Sequence, residues 1–435
     1  MKTFYIQTLG CKVNQYESDG IASGLEEKGW AKGEKNADVV IVNTCAVTSK
    51  AGMQSRQAIR KIIRENPDAK VIVTGCHAQT DPDAIKKIDH IDHIVCHKDK
   101  LRIADYLAST GDERLPLIFK KIDRTESQAF NGFHHAVKGD MTRAYLKIQD
   151  GCDAFCTYCI VPYARGASMS MPQHEVLRHF RELGSSGFNE VILTGIHAGM
   201  YGLDFKEKSS LLELLTQIHR ERPVYRVRLS SIEPCEINEG IIRLARPGHI
   251  LCDHFHIPLQ SGDDDILKKM KRPYDSIFFK DMVQMIHEIL PFAGIGVDAL
   301  IGFPSETHRQ FENTYELIES LPISYLHVFP FSARKGTPAY HFDQKVDEKT
   351  IKERCAIMRT LDQIKRKTFI DLNLHQKLEG LVQNKPDKKT GMLKAITSNY
   401  LTVLLKGRPE FYGKILDLVP EQCDKDLVIR GSLSE

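Results

Sequence analysis

The chain has 435 residues, with 60 Lys and Arg against 57 Asp and Glu, for a net charge of +3. That length allows two or three domains, its 42% apolar fraction is ordinary for a globular protein, and so small a net charge does not by itself establish a polyanionic partner, which local patches must argue. No run approaches the ~18 consecutive apolar residues of a membrane span, and the opening Met-Lys-Thr-Phe-Tyr-Ile-Gln reads as a strand rather than a signal peptide, so a cytoplasmic location is expected.

Residues 2–8, 38–42 and 70–74 read as short apolar strands, and 15–28 and 50–64 carry helical spacing. This βαβ alternation predicts an open parallel α/β domain over 1–111. Residues 112–139 are polar without periodicity and read as an extended linker. A second βα series follows, with strands expected over 143–149, 190–194, 225–231, 254–258, 294–300 and 325–331. Six such units predict a partial (β/α)6 barrel over 140–372, in which chemistry belongs at the C-terminal strand ends. A long basic helix over 348–372 closes this region. Runs at 378–382, 393–405 and 411–418, separated by turn residues, predict a small all-β barrel over 373–435. The fold class is α/β with this β appendage.

Eleven cysteines in a long chain without secretory features favour metal or redox chemistry over disulfides. Three of them form a C-x3-C-x2-C loop, Cys152, Cys156 and Cys159, just after the first barrel strand. Three thiolates on one tight loop can hold three irons of a [4Fe–4S] cubane and leave the fourth iron open. An open iron can take the amino and carboxylate groups of S-adenosylmethionine, whose sulfonium an electron then splits to a 5′-deoxyadenosyl radical. Tyr158, just before the last cysteine, fits the same pattern. A zinc loop would need a fourth ligand, and His134 and His135 lie too far upstream to supply it.

Cys11, Cys45 and Cys76 are distant in sequence, yet each sits just past the end of a predicted parallel strand. In an open parallel sheet those ends share one edge, and Gly10 and Gly75 allow a tight turn before the thiol. The three are therefore expected to converge and hold a second [4Fe–4S] cluster with an open iron. Cys96, Cys235, Cys252, Cys355 and Cys423 show no such pattern and read as structural, Cys235 least clearly.

Together these features resemble the methylthiotransferase family of radical S-adenosylmethionine enzymes over nearly the whole chain. The resemblance rests on Leu-Gly-Cys-Lys-Val-Asn at 9–14, Asn-Thr-Cys at 43–45, Thr-Gly-Cys-His at 74–77 and the 151–159 loop with Ile-Val-Pro-Tyr-Ala-Arg-Gly after it. It extends to Leu-Thr-Gly-Ile-His at 193–197, Ser-Ser-Ile-Glu-Pro at 230–234, His-Ile-Pro-Leu-Gln-Ser-Gly at 256–262 and Ile-Gly-Phe-Pro-Ser-Glu-Thr at 301–307. Asn-Thr-Cys-Ala-Val-Thr-Ser-Lys-Ala followed by Ser-Arg-Gln-Ala-Ile-Arg-Lys resembles the subgroup acting on N6-threonylcarbamoyladenosine in tRNA, next to the anticodon. The implied reaction replaces the C2 hydrogen of the modified adenine by a methylthio group. One S-adenosylmethionine supplies the methyl group and a second the radical, so no acid–base residue is required. Rival readings are a methylthiotransferase for isopentenyladenosine or for a ribosomal-protein aspartate, and, from another class, an iron–sulfur or zinc RNA-binding protein without radical chemistry.

The resemblance also implies contacts. Gly195 falls where the cofactor's amino group is met, Ser231 and Glu233 near its ribose or methionine end, and Gly302 and Phe303 near its adenine. Alternatively, Gly195 and Gly302 only turn the chain. His256 and Gln260 either face the cofactor or satisfy backbone groups at the barrel mouth. Three basic patches are expected to track RNA phosphates: Lys50, Arg56, Arg60, Lys61 and Arg64; Lys268, Lys269, Lys271 and Arg272; and Lys365, Arg366 and Lys367. The C-terminal region resembles a TRAM domain, which implies an RNA anchor, with Tyr400, Phe411 or Tyr412 available for stacking. After Arg165 and Gly166 the chain runs Ala-Ser-Met-Ser-Met-Pro where many relatives have further arginines, so less charge flanks that loop. The implied partners are the tRNA anticodon stem-loop and an electron donor such as flavodoxin or ferredoxin, with no membrane and a monomeric enzyme.

Overall fold

The computed structural model describes residues 1–34, 36–109, 122, 130, 132 and 141–434. The expected linker lies almost wholly outside the described residues. The N-terminal sheet holds β1 (Thr3–Thr8), β2 (Ala31–Lys32), β3 (Val39–Thr44), β4 (Lys70–Gly75) and β5 (His93–Ile94), all parallel, in the order β2-β1-β3-β4-β5. β2 and β5 have two residues each, too few to show a period in sequence. β3 reads Val-Val-Ile-Val-Asn-Thr with every residue buried, as a central parallel strand covered on both faces requires. Alternate side chains meet different helices. Ile41 and Ile72 share a core with Tyr16, Ile21 and Leu25 of the helix Lys12–Glu27, whereas Val40, Val42, Val71 and Val73 pack with Ile59 and Ile62 of the helix Ser49–Glu65.

The central region contains β6 (Ala144–Lys147), β7 (Gln149–Asp150), β8 (Met169–Ser170), β9 (Glu190–Thr194), β10 (Arg226–Leu229), β11 (His254–Gln260), β12 (Gly294–Ile301) and β13 (Tyr325–Pro330). The parallel sets β6-β9-β10 and β11-β12-β13 meet through bridges Val227–Leu251 and Ser231–His256. This is the expected six-stranded partial barrel. The strand expected over 143–149 is shorter than read, because Gln149 and Asp150 leave the barrel and pair with Ser170 and Met169 instead. That small ladder closes the base of the cysteine loop. The N-terminal unit touches both edges of the open barrel. Helix Lys12–Glu27 lies along β6, and Ser49 N donates to Ser332 Oγ at 3.0 Å, just beyond β13.

After the helix Glu348–Asn373 come β14 (Leu378–Val382), β15 (Leu393–Thr397), β16 (Thr402–Leu405), β17 (Ile415–Cys423) and β18 (Ile429–Leu433), closed in the order β14-β15-β16-β18-β17. The single run expected over 393–405 is a hairpin that turns at Tyr400, whose φ is 77°. The strand expected from 411 starts later, because Pro409–Phe411 forms a 3-10 turn. β18 was not anticipated, since only its first residue is buried and its sequence hardly alternates.

The barrel and this β unit meet on charges. Arg226 and Arg228 are 3% and 1% exposed, and Glu190, at 0%, accepts from the Nε of each at 2.7 and 2.9 Å. Their remaining N–H groups donate to the carbonyls of Ile396, Thr397 and Ser398 at 2.8, 2.9 and 2.7 Å. Glu190→Gln leaves two buried guanidinium groups without their counter-charge, so we expect a loss of about 3–5 kcal/mol, read as a lower thermal unfolding midpoint of the full chain.

Candidate active site

β1, β3 and β4 are neighbours, so their C-terminal ends carry Cys11, Cys45 and Cys76 to one edge. The turns are tied to one another. Asn14 Nδ2 donates to the carbonyls of Leu9 and Thr44 at 2.7 and 3.1 Å, which joins the Cys11 and Cys45 turns. Thr44 Oγ1 donates to Thr74 O at 2.6 Å and accepts from Ala78 N at 3.2 Å, which joins the Cys45 and Cys76 turns. Gly75 has φ 96°, and a Cβ there would lie 2.4 Å from Thr44 O. A Cβ on Gly10 would lie 2.8 Å from Cys45 Sγ, so any side chain would press on the thiol. Burial pushes the Cys45 thiol up to about 11 against a backbone hydrogen bond at Val47, and Cys76 and Cys11 add to the rise. None of the eleven cysteines is in a disulfide. Three thiols that lie in one another's field, as the effect of Cys76 and Cys11 on Cys45 shows, fit a thiolate-bound iron–sulfur group, since metal coordination removes the proton that burial retains.

The second triplet stands on the β7–β8 ladder. Gln149 Nε2 donates to the carbonyls of Asp150 and Gly151 at 3.0 and 2.9 Å, and its Oε1 accepts from His197 N at 2.8 Å. His197 Nδ1 lies 3.4 Å from Cys152 Sγ, while its Nε2 lies 2.5 Å from Glu236 Oε1. Arg272 Nη1 donates to Cys156 Sγ at 3.3 Å. Burial pushes the Cys159 thiol up to about 12, with Cys156 and Cys152 contributing after an opposing backbone hydrogen bond. The three thiols therefore share one field, with two cation-forming side chains at their backs.

The two triplets face each other. Cys76 and Ala46 pack against Ile160 and Ala164, in the turn that follows Cys159. Beside this apolar wall Arg165, 1% exposed, donates to Asn14 Oδ1 at 2.7 Å, Glu17 Oε1 at 2.9 Å and Asp150 Oδ1 at 2.9 Å. Lys100 pairs with Glu17 at 2.6 Å and Lys147 with Asp150 at 2.8 Å, both buried. Asn14 lies three residues after Cys11 and Asp150 two before Cys152, so this network sets the register of one cysteine edge against the other.

Burial alone would raise the carboxyls of Glu17 and Asp150. Arg165, Lys100 and Lys147 outweigh it at Glu17, and Lys147 and Arg165 do so at Asp150, so both are held far below the usual range. A carboxyl held low in the folded chain contributes stability above its unfolded value of about 4, and that stability is lost as the pH falls through that region toward the folded value. We expect the urea midpoint to fall steeply from about pH 5 to pH 3, with a flatter slope in Asp150→Asn.

Residues 3–96 match the Uncharacterized protein family UPF0004, and residues 146–318 match the Radical SAM superfamily. A Bacillus subtilis relative, "Threonylcarbamoyladenosine tRNA methylthiotransferase MtaB", is 37% identical over 421 residues, 96% of this chain and 93% of the relative. The chain belongs to the radical S-adenosylmethionine methylthiotransferase family. A Carboxydothermus hydrogenoformans relative, "tRNA-2-methylthio-N(6)-dimethylallyladenosine synthase", is 31% identical over 95% of this chain and 96% of its own length. The structure of the radical S-adenosylmethionine methyltransferase TsrM from Kitasatospora setae aligns with TM-score 0.55 at 17% identity, over 78% of this chain and 77% of that one, a likeness of fold.

The residues expected to meet the cofactor lie at the C-terminal ends of the barrel strands and on the loops beyond them. Tyr158 packs against Ile266, Met270, Phe303 and Ala339. Gly195 brings its bare Cα against Gln149, whose Oε1 would lie 3.0 Å from a Cβ there. Ser231 is exposed at the mouth, and Glu233 pairs with Arg272. Gly302 faces the helix Glu348–Asn373, where a Cβ would lie 2.3 Å from Ile351. Phe303 is fully buried among Phe331 and Phe342, and its carbonyl accepts from Glu306 N at 2.9 Å. His256 is buried, with Nε2 2.9 Å from Asp298 and Nδ1 3.1 Å from the Tyr325 hydroxyl.

Several basic residues leave the surface patches assigned to them. Arg272 turns inward, 3% exposed, onto Glu233, Tyr274 and Cys156. Lys365 donates to the carbonyl of Leu321 at 2.8 Å and is spent on a helix end. Arg366 pairs with Asp362 at 2.9 Å and lies over the Tyr325 ring. Lys269 reaches Ser305 Oγ at 2.6 Å, and Arg60 is exposed. Tyr400, offered for stacking on a base, stacks instead on His254 at 4.2 Å in the seam. Phe411 and Tyr412 are partly buried against the small barrel's core. Sequence reasoning missed Asn14, Glu17, Asp150 and Arg165 as a unit. Asn14 and Arg165 stood inside the quoted motifs, but nothing local in the sequence pairs them.

Proposed function

We propose that this enzyme places a methylthio group on C2 of N6-threonylcarbamoyladenosine in the tRNA anticodon loop. The observation that carries this reading is the approach of two three-thiol sets across the wall of Ala46, Ile160 and Ala164. Two [4Fe–4S] clusters with S-adenosylmethionine, held by Cys11, Cys45 and Cys76 and by Cys152, Cys156 and Cys159, would supply methyl transfer to sulfur at one set and the radical at the other. The chain's own part is to fix the two sets, keep water out and hold the base between them. Arg165, bound to Asn14, Glu17 and Asp150, sets their spacing. Ala46, Ile160 and Ala164 provide an apolar wall that protects a reactive species from solvent. A carbon–hydrogen bond with no acidity gives a side-chain base nothing to act on, in keeping with the absence of an acid–base role for any residue above.

The substrate assignment draws on relatives named for threonylcarbamoyladenosine at 34–38% identity, against 31% for those named for dimethylallyladenosine. The small β barrel is proposed as the RNA anchor, with Arg60 and Lys269 near the mouth.

The test is nucleoside mass spectrometry after incubating reconstituted enzyme, S-adenosylmethionine and a low-potential reductant with anticodon stem-loops. A mass gain of one methylthio group in place of hydrogen is expected on the threonylcarbamoyl loop. Product only on a dimethylallyl loop would overturn the assignment.

A further inference from the structure

Beside the N-terminal cysteine edge lies a group of donors that the functions assigned above leave unused. His77 follows Cys76 directly and is 2% exposed. Its Nε2 lies 3.2 Å from Arg56 Nη1 and so acts as the acceptor, which leaves the proton on Nδ1. That Nδ1 is buried without a hydrogen-bond partner. The Nε of Arg334, in the loop after β13, is also buried without a partner. Both groups converge on Gly52, where a Cβ would lie 3.4 Å from the His77 ring and 3.5 Å from Arg334 Nη1. Among the described residues no carboxylate lies within ion-pair distance of Arg56 or Arg334. Asp81 lies in the same field, but its side chain accepts from Ala84 N at 3.3 Å.

Buried donors without acceptors are rare and cost roughly 1–3 kcal/mol each. Two guanidinium groups and an imidazole N–H around one point want a compact anion with two acceptor oxygens. The two arginines come from opposite edges of the active-site mouth, one from helix Ser49–Glu65 and one from the loop beyond β13. A ligand bound there would be gripped by both units at once.

We propose that Arg56, Arg334 and His77 bind the free carboxylate of the threonylcarbamoyl substituent and thereby select the substrate. This rests on the substrate reading above and adds the residues that read it. The threonylcarbamoyl group carries a carboxylate, whereas the dimethylallyl group is an uncharged hydrocarbon, so a pair of arginines separates the two by charge. C2 and C6, the carbon that bears N6, are separated only by N1 in the six-membered ring, so a substituent on N6 stays within side-chain reach of the reacting carbon. Donors one residue from Cys76 are therefore placed where that substituent can reach them.

The test is binding of anticodon stem-loops to the reconstituted holoenzyme, by fluorescence anisotropy, with a threonylcarbamoyladenosine loop and an otherwise identical unmodified loop. Wild type should prefer the modified loop. Arg334→Gln and, separately, Arg56→Gln should weaken the modified loop about tenfold or more and leave the unmodified loop unchanged, while Arg334→Lys retains part of the preference. Iron content and circular dichroism check that each variant is folded and loaded. Equal weakening of both loops would mean a backbone phosphate contact and would overturn the proposal. Unchanged affinity with an altered cluster spectrum would assign the donors to the cluster, and also overturns it. If wild type methylthiolates the threonylcarbamoyl loop yet binds both loops equally, the proposed contact fails while the substrate reading stands. If it methylthiolates only a dimethylallyl loop, both fail.

Discussion

Cys152→Ala, reconstituted without oxygen, should bind about half the iron of the wild-type chain, roughly four atoms in place of eight. It should form neither 5′-deoxyadenosine nor methylthio product. The loop has three thiols, so losing one leaves two, too few cysteine ligands for a cubane. Cys152 is also the thiol that meets His197, at 3.4 Å, and that imidazole is held by Glu236. The substitution therefore removes a ligand and strands a polar pair at the barrel mouth. Iron analysis, the visible spectrum and chromatography of the deoxyadenosine product read the outcome. Retention of the full iron content, or zinc found in place of iron, would count against the radical reading.

Cys45→Ala should separate the two halves of the reaction. S-adenosylmethionine should still be cleaved reductively, because the contacts that hold the second triplet come from Gln149, His197 and Arg272. Methylthio product should be absent, because the N-terminal set falls to two thiols. The fold should survive, since Cys45 is small and the turn is still tied by Asn14 and Thr44. Full product formation by this variant would show that the N-terminal cysteines do not carry the sulfur. Loss of both activities would place the two sets in one cooperative unit, with Arg165 and its buried partners as the link.

Much of this architecture was legible locally. β-branched runs such as Val39–Thr44 and Lys70–Gly75 announce buried parallel strands, because only a strand covered on both faces tolerates so unbroken an apolar stretch. The C-x3-C-x2-C loop reads as a ligand set by spacing alone, since its thiols share one short loop. Short elements escaped, β2, β5 and β18 among them, because two residues or a weak alternation carry too little pattern to read.

The basic residues mark where local reading ended. Lys and Arg report a charge but not a partner. Arg272 looked like a phosphate contact and faces Cys156, and Arg165 closed a motif yet bonds across the interface to Asn14 and Glu17. A buried charge is tolerated only where opposite charge and acceptors surround it, and those partners come from segments far apart in the chain. The sequence by itself determined the parallel strands, the two cysteine triplets and the family they belong to. Only the tertiary structure decided that the triplets meet across Ala46, Ile160 and Ala164, and which arginines turn inward to hold them there. Strand pattern and ligand spacing are set by neighbours in sequence, whereas the burial of a charge is set by neighbours in space.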